Sequence, residues 1–357
     1  MMITVSTEAN VREAIEATNN GGIRCACVVD GKGRLCGLVT DGDIRRSILD
    51  GVSLEAPVSK IMNPSPVTMP ASTPVETVRA VLEEERMLHM PLVDEEGVLI
   101  DLAYQPELAS KAQLTNRVVI MAGGLGERLR PFTERVPKPM VEVGGRPIIR
   151  TIVDNLVAAG LTDITLCVNY LAHMLEDYLQ DGSQFGARIS YVRENERTGT
   201  GGALRLLSDW PVQDFFVMNG DILTSLDYSA MLQQHTGNKA LATMAVKQHS
   251  HEIPYGVVET DGNRIKGFRE KPRHTWNVNA GIYILNPRIR EFMPEETFFN
   301  LPTLFENVIS HNGAAEVFAI SENWMDIGRP DDVSRAENVL KQDKTKFQLY
   351  SSDAKRR

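Results

Sequence analysis

Residues 118–131 constrain this chain more than any other stretch. The β-branched apolar run Val118-Val119-Ile120 reads as a buried strand, and Gly123, Gly124 and Gly126 follow at once. Two cations stand close behind, Arg128 and then Lys138 inside Pro137-Lys138-Pro139. A strand that ends in glycines lets backbone N–H groups approach phosphate oxygens, and Arg and Lys add charge where the backbone cannot. That order suits a triphosphate. The loop lacks the Gly-Lys-Ser/Thr ending of a P-loop, and no acidic residue closes a strand about 20 residues on, as a dinucleotide site requires.

From Arg117 onward, strand and helix signals alternate. Pro147 opens a helix that runs to Ala159, and Gly160 stops it. Strands are expected at 164–168, 188–192 and 215–218, with helices at 171–179, 201–207 and 331–340. The alternation predicts an α/β fold, a mostly parallel sheet with helices on both faces. Ligands bind such sheets beyond the carboxyl ends of the strands. The glycine loop lies at one such end, and Asn219-Gly220-Asp221 at another.

Residues 1–113 carry an internal repeat. Val11 falls on Val75, Val29-Asp30 on Val93-Asp94, Gly33 on Gly97, Leu35 on Leu99 and Leu38 on Leu102. The two copies, about 1–55 and 56–113, each read as helix, strand, turn and strand, an α+β pair. In the first copy Asn10 caps a helix over 11–19, strands follow at 25–29 and 35–39, and a helix covers 43–49. Residues 106–116 read as a linker, and the polar tail 346–357 follows the second domain, 117–345.

A net charge of -9 argues against a general nucleic-acid binder, which needs basic patches. No basic segment followed by an apolar core opens the chain, and no apolar run reaches 18 residues. A cytoplasmic protein without a membrane span is the expectation. Cys25, Cys27, Cys36 and Cys167 form no disulfide or zinc pattern and read as small buried residues. His249 and His251 read as a solvated loop pair.

The spacing Gly124-x-Gly126-x-Arg128-x-x-Pro131-x-Thr133-x-x-x-Pro137-Lys138-Pro139 resembles the sugar-1-phosphate nucleotidyltransferases. The resemblance implies a Rossmann-like nucleotidyltransferase domain with a mostly parallel mixed sheet. It also implies Mg²⁺-dependent transfer from an NTP to a sugar 1-phosphate. It places Gly123, Gly124, Gly126, Gly201 and Gly202 at the nucleotide, and Arg128 at the leaving pyrophosphate. Lys138 and Lys271 go to the reacting phosphates, and Asp221 and Asp326 to the metal. Gly256, Glu270, Lys271 and Asn279 go to the sugar phosphate. Glu127 stands where relatives carry Thr or Ser, and is expected in solvent or on a cation.

The segment 140–147 looks more like guanylyltransferases, which favours GTP over dTTP, CTP or UTP. An inactive nucleotide sensor and transfer to an alcohol phosphate are the rivals. The front repeat resembles a pair of CBS motifs. In that family the positions of Thr40 and Asp43 meet phosphate and ribose of an adenine nucleotide; the same residues also suit a helix cap. The second copy lacks both. CBS modules tend to dimerise, so a homo-oligomer is expected.

Overall fold

The computed structural model describes residues 3–21, 23–85, 87–105, 114–342 and Phe347. Most of the expected linker and tail lies outside them. The chain divides into two compact units, Met1–Ser110 with Gln248–Val278, and Lys111–Lys247 with Asn279–Arg357. Both units are therefore discontinuous in sequence, because residues 248–278 group with the first.

The first unit begins with β1 (Thr4–Ser6), α1 (Val11–Gly21), β2 (Cys25–Val29), β3 (Leu35–Thr40) and α2 (Asp41–Leu49). The second copy supplies β4 (Met69–Pro70), α3 (Val75–Glu84), β5 (His89–Val93) and β6 (Leu99–Tyr104). Each copy forms a three-stranded sheet with its first strand parallel and its last antiparallel to the middle one. The register shift between Val28 and Val29 recurs between Leu92 and Val93. Two reciprocal bonds join the copies: Leu35 N–H to Gly97 O and Leu99 N–H to Gly33 O, each 3.0 Å.

Asn10 caps α1 as expected. Its side chain accepts from Glu13 N–H at 2.9 Å, and Glu13 Oε2 accepts from Asn10 N–H at 2.8 Å. Cys25 and Cys27 are buried against Leu38 and Leu99. Burial pushes the Cys27 thiol up to about 11, the behaviour of an inert core residue. Among the described residues no three His, Cys, Asp or Glu side chains are grouped to hold a metal.

The chain then forms β7 (Val118–Met121), α4 (Ile148–Ala158), β8 (Asp163–Val168), α5 (Ala172–Leu179), β9 (Arg188–Arg193), α6 (Gly199–Gly202), β10 (Phe215–Asn219), β11 (Ile222–Thr224) and α7 (Tyr228–Gly237). Next come β12 (Ala242–Glu252), a hairpin of β13 (Val257–Asp261) and β14 (Arg264–Arg269), and β15 (Arg273–Leu285). The last elements are α8 (Leu301–Ser310), β16 (Ala315–Ala319), β17 (Trp324–Asp326) and α9 (Pro330–Gln342). His249 and His251 lie exposed within β12 and not in a loop.

Seven strands form one mixed sheet in the order β16-β12-β15-β10-β7-β8-β9. β10, β7, β8 and β9 run parallel, and β15 is antiparallel to β10. Residue alternation assigns the faces. Val118, Ile120, Phe216 and Met218 pack with the α4 residues Ile148, Ile149, Ile152, Val153 and Leu156. Val119, Phe215 and Val217 face Leu301, Leu304, Phe305 and Val308 of α8. Burying each such side chain stabilises the fold by about 1.5–3 kcal/mol. Parallel strands buried on both faces explain the continuous apolar run at 118–120.

The expected helix 201–207 breaks into α6 and a 3₁₀ turn over Ala203–Leu206. Glycines at 199, 201 and 202 weaken a continuous helix there. From β7 the chain steps to β8 and β9 on one side, then returns to β10 on the other. That reversal is a topological switch point, where the carboxyl ends of the strands open a crevice. Among the described residues, no helix is long and apolar enough to cross a membrane.

Candidate active site

β7 and β10 deliver the central groups. β7 ends in the glycine loop. β10 ends at Asn219, and Asp221 follows after Gly220. β11 pairs antiparallel with β17, setting Ile222 opposite Asp326. A 3₁₀ turn, Lys138–Met140, brings in Lys138. Its ammonium meets Asp221 Oδ2 and lies 4.0 Å from Asp326 Oδ1. Lys138 and Asp221 are nearly buried, whereas the Asp326 side chain is 48% exposed.

The cluster is electrostatically unfinished. Asp221 Oδ1 and Asn219 Oδ1 are buried without a hydrogen-bond partner. Partial burial raises the Asp326 pKa, the Asp221 charge raises it further, and Lys138 pulls it back down. Buried orphan acceptors are costly, so they point to a donor or cation that arrives with the ligand. Arg128 is exposed, and its charge also reaches Asp326.

The three loop glycines serve different ends. Gly126 adopts φ +64, and a Cβ there would fall 2.8 Å from Thr133 Cγ2 and 3.2 Å from Lys138 Cβ. The Thr133 hydroxyl donates to Gly126 O at 2.8 Å and fastens the turn. A Cβ on Gly123 would fall 2.3 Å from Glu194 Oε1. A Cβ on Gly124 would meet no heavy atom of another residue beyond its chain neighbours within 4 Å. Gly124 is thus free to be approached by something other than protein.

Glu194, just past β9, was not singled out from sequence. Its carboxylate packs against Gly123 and accepts from the Thr198 hydroxyl at 2.5 Å. It also lines a cavity of about 370 Å³ with Val168, Asn169, Arg193 and Asn195. Its position after a strand, five residues before Gly199, was the available signal.

Gly201 and Gly202 are tied to the segment before α8. Both N–H groups donate to Phe299 O, at 3.0 and 3.1 Å. A Cβ on Gly201 would fall 2.4 Å from the Phe299 ring, and one on Gly202 would fall 2.3 Å from Thr297 O. Their amides are thus engaged by Phe299, and neither position leaves room for a side chain. Glu127 pairs with Arg197 at 3.5 Å on the surface, as its exclusion from the phosphate loop suggested.

Asn279 is engaged within its own strand. Its Nδ2 donates to the Tyr283 hydroxyl at 2.8 Å, and its Oδ1 accepts from Gly281 N–H at 2.9 Å. Burial raises the Tyr283 pKa, the Asn279 bond lowers it, and the Asp221 charge raises it. Asn279 thereby fixes Gly281, where a Cβ would fall 2.7 Å from Asn219 Nδ2. Gly256, Glu270 and Lys271 belong to the first unit, on and beside the β13–β14 hairpin. A Cβ on Gly256 would fall 3.0 Å from Glu270 Oε2, so the glycine leaves room for that carboxylate.

Thr40 and Asp43 form a capping box on α2. Asp43 Oδ2 accepts from Thr40 N–H at 2.9 Å and from its hydroxyl at 2.6 Å, and Arg46 donates to Oδ1 at 2.5 Å. Both residues are occupied by local bonds. At the equivalent position of the second copy, Tyr104 stacks on His89 with ring centroids 5.3 Å apart.

The nucleotidyl transferase family model matches residues 117–343, and the CBS domain model matches residues 1–50 and 58–103. A mannose-1-phosphate guanyltransferase of Aspergillus fumigatus is 37% identical over 229 residues, 60% of this chain and 62% of the relative. The enzyme of the same name from Saccharomyces cerevisiae is 35% identical over 230 residues, with the same coverage. The chain thus spans about three fifths of the length of these relatives. The crystal structure of HddC from Yersinia pseudotuberculosis superposes with a TM-score of 0.50 at 28% identity, covering 63% of this chain and 100% of that one.

Proposed function

The chain belongs to the nucleotidyl transferase family, and on that premise we propose that it transfers a guanylyl group from GTP to a sugar 1-phosphate, releasing pyrophosphate. The observation that carries this reading is the Lys138–Asp221–Asp326 cluster at the switch point, together with the glycine loop that ends β7. The names of the relatives support GTP as donor and mannose 1-phosphate as the first acceptor to try.

An oxygen of the sugar 1-phosphate attacks the α-phosphorus in line. The new P–O bond forms as the bond to the bridging oxygen breaks, and that electron pair leaves with pyrophosphate. Positioning and charge neutralisation supply the catalysis without a covalent intermediate. The loop amides at Gly123–Gly126 hold the triphosphate. Lys138 orients the α-phosphate, and Arg128 takes the growing charge on pyrophosphate. Lys271 holds the sugar phosphate, and Glu270 accepts a sugar hydroxyl. Asn279 fixes its own strand at Gly281.

The residues fit a magnesium ion. Asp221 and Asp326 are hard oxygen donors, and Asp221 Oδ1 is buried and unpartnered. They would hold the ion, which when bound neutralises phosphate oxygens.

Glu194 supports guanine. A carboxylate only accepts, and guanine offers two adjacent donors, N1–H and the 2-amino group. Thymine and uracil offer one donor beside an acceptor and match a carboxamide better. The CBS pair is proposed to hold an adenine nucleotide in the first copy, its ribose on Asp43.

The test is pyrophosphate release with Mg²⁺, crossing GTP, CTP, UTP, dTTP and ATP with mannose, glucosamine, glucose and heptose 1-phosphates. A strong GTP pair establishes the reading. Turnover with another base alone overturns the guanine assignment, and silence throughout overturns the activity.

A further inference from the structure

Lys271 adopts φ +43, a left-handed backbone at a residue that carries a Cβ. Such a conformation is uphill and persists only where its surroundings hold it. Here the holding contacts follow directly in the chain. Ile253 N–H donates to Pro272 O at 3.1 Å. Arg273 then reaches two carboxylates, Glu252 Oε2 at 3.0 Å and Glu55 Oε1 at 3.2 Å.

Glu55 lies far off in sequence, at the end of the first CBS copy. It accepts from Arg12 Nε at 3.1 Å and Arg12 Nη2 at 2.9 Å. Its backbone is fixed on both sides: Arg12 N–H donates to Leu54 O and Val11 N–H to Ala56 O, each at 2.9 Å. Arg12 and Glu55 are therefore set by the start of α1. Hydrogen bonds from Arg12 and Arg273 hold the Glu55 carboxyl below its ordinary range, so it stays charged at neutral pH. Charges alternate along Arg12, Glu55, Arg273 and Glu252. A network of this kind holds geometry better than an isolated exposed pair.

We infer that Glu55 and Arg273 are positioning residues for the sugar 1-phosphate, setting the pose of Lys271 and giving the CBS module a hold on it. The inference rests on Lys271 contacting that substrate, as proposed above. A shift of α1 moves Glu55, Glu55 moves Arg273, and Arg273 is two residues from Lys271.

The test is steady-state kinetics of Glu55→Gln, Arg273→Gln and the double variant, in the full chain, with Lys271→Ala alongside. Each single variant is expected to raise KM for the sugar 1-phosphate about three- to fivefold, with KM for GTP held. The double variant is expected to cost less than the two singles added together, because both lose the shared Glu55–Arg273 pair. Raising NaCl to about 0.5 M is expected to shrink the difference from the parent enzyme. An unchanged sugar-phosphate KM in both singles overturns the inference. So do singles that add in the double, and so does an equal loss for both substrates, which marks general damage. If Lys271→Ala is silent, the substrate role of Lys271 fails first and the tether falls with it. If Lys271→Ala is severe and the tether variants are silent, the tether alone fails.

Discussion

Lys138 reaches Asp221 with its ammonium and stands 4.0 Å from Asp326, so one cation faces both carboxylates at the switch point. Asp221→Asn should lower turnover by about 10²–10³-fold, the scale for losing a group that stabilises transition-state charge. Circular dichroism should show the fold intact. Turnover within about threefold of the parent removes Asp221 from the mechanism.

Asp326 should trade stability for function. Its pKa is raised in the folded state, by partial burial first and by Asp221 second. Between the unfolded and folded values the native state holds more protons than the unfolded one, so stability falls as pH rises through the folded pKa. At neutral pH the ionised group is then a net burden on the metal-free protein. Asp326→Asn should raise the melting temperature at pH 7 while lowering activity, and the gain should vanish near pH 3. A lower melting temperature at pH 7 contradicts this account.

Much of this site was legible because its elements obey simple rules. Val118–Ile120 reads as a buried strand, and Asp221 follows another apolar strand, Phe215–Asn219, at its carboxyl end. The copies of the repeat kept their spacing, so Leu35 and Leu99 met the turns of the opposite copy as equivalents. Other features depend on contacts between distant residues. Gly201 and Gly202 look like ligand-facing glycines, but Phe299, almost 100 residues on, takes their N–H groups. Glu194 gains meaning only beside Gly123, and Arg273 only beside Glu55. No local pattern encodes those pairings.

The loop glycines should separate folding from binding. A methyl group on Gly124 meets no heavy atom beyond its chain neighbours within 4 Å. Gly124→Ala should melt within about 0.5 kcal/mol of the parent and yet raise KM for the nucleotide about tenfold. Gly123→Ala should disturb both, because its Cβ collides with Glu194. Equal nucleotide KM values for Gly124→Ala and the parent enzyme would show that no phosphate approaches that loop position.

Glu194 should govern base choice. Glu194→Gln replaces an acceptor pair with one donor and one acceptor, leaving a guanine N–H unmatched. The ratio of kcat/KM for GTP over dTTP should fall about 10–100-fold. The Thr198 hydroxyl donates to Glu194, and the Gln carbonyl preserves that bond, so stability should hold. A ratio that does not move places the base elsewhere.

The CBS module can be tested by splitting a cap from a ligand. Asp43 closes the capping box with Thr40 and also holds Arg46. Asp43→Ala should cost about 1 kcal/mol through the lost cap, whether or not a nucleotide ever binds. Thr40→Ser keeps the capping hydroxyl and should cost much less. If the first copy holds an adenine nucleotide, calorimetry should find AMP, ADP or ATP binding to the parent chain and to Thr40→Ser. It should find none with Asp43→Ala, because a single carboxylate takes both ribose hydroxyls. Binding that survives Asp43→Ala rules out the ribose role. A parent chain that binds none of the three leaves Asp43 as a cap, because the melting difference alone then accounts for it.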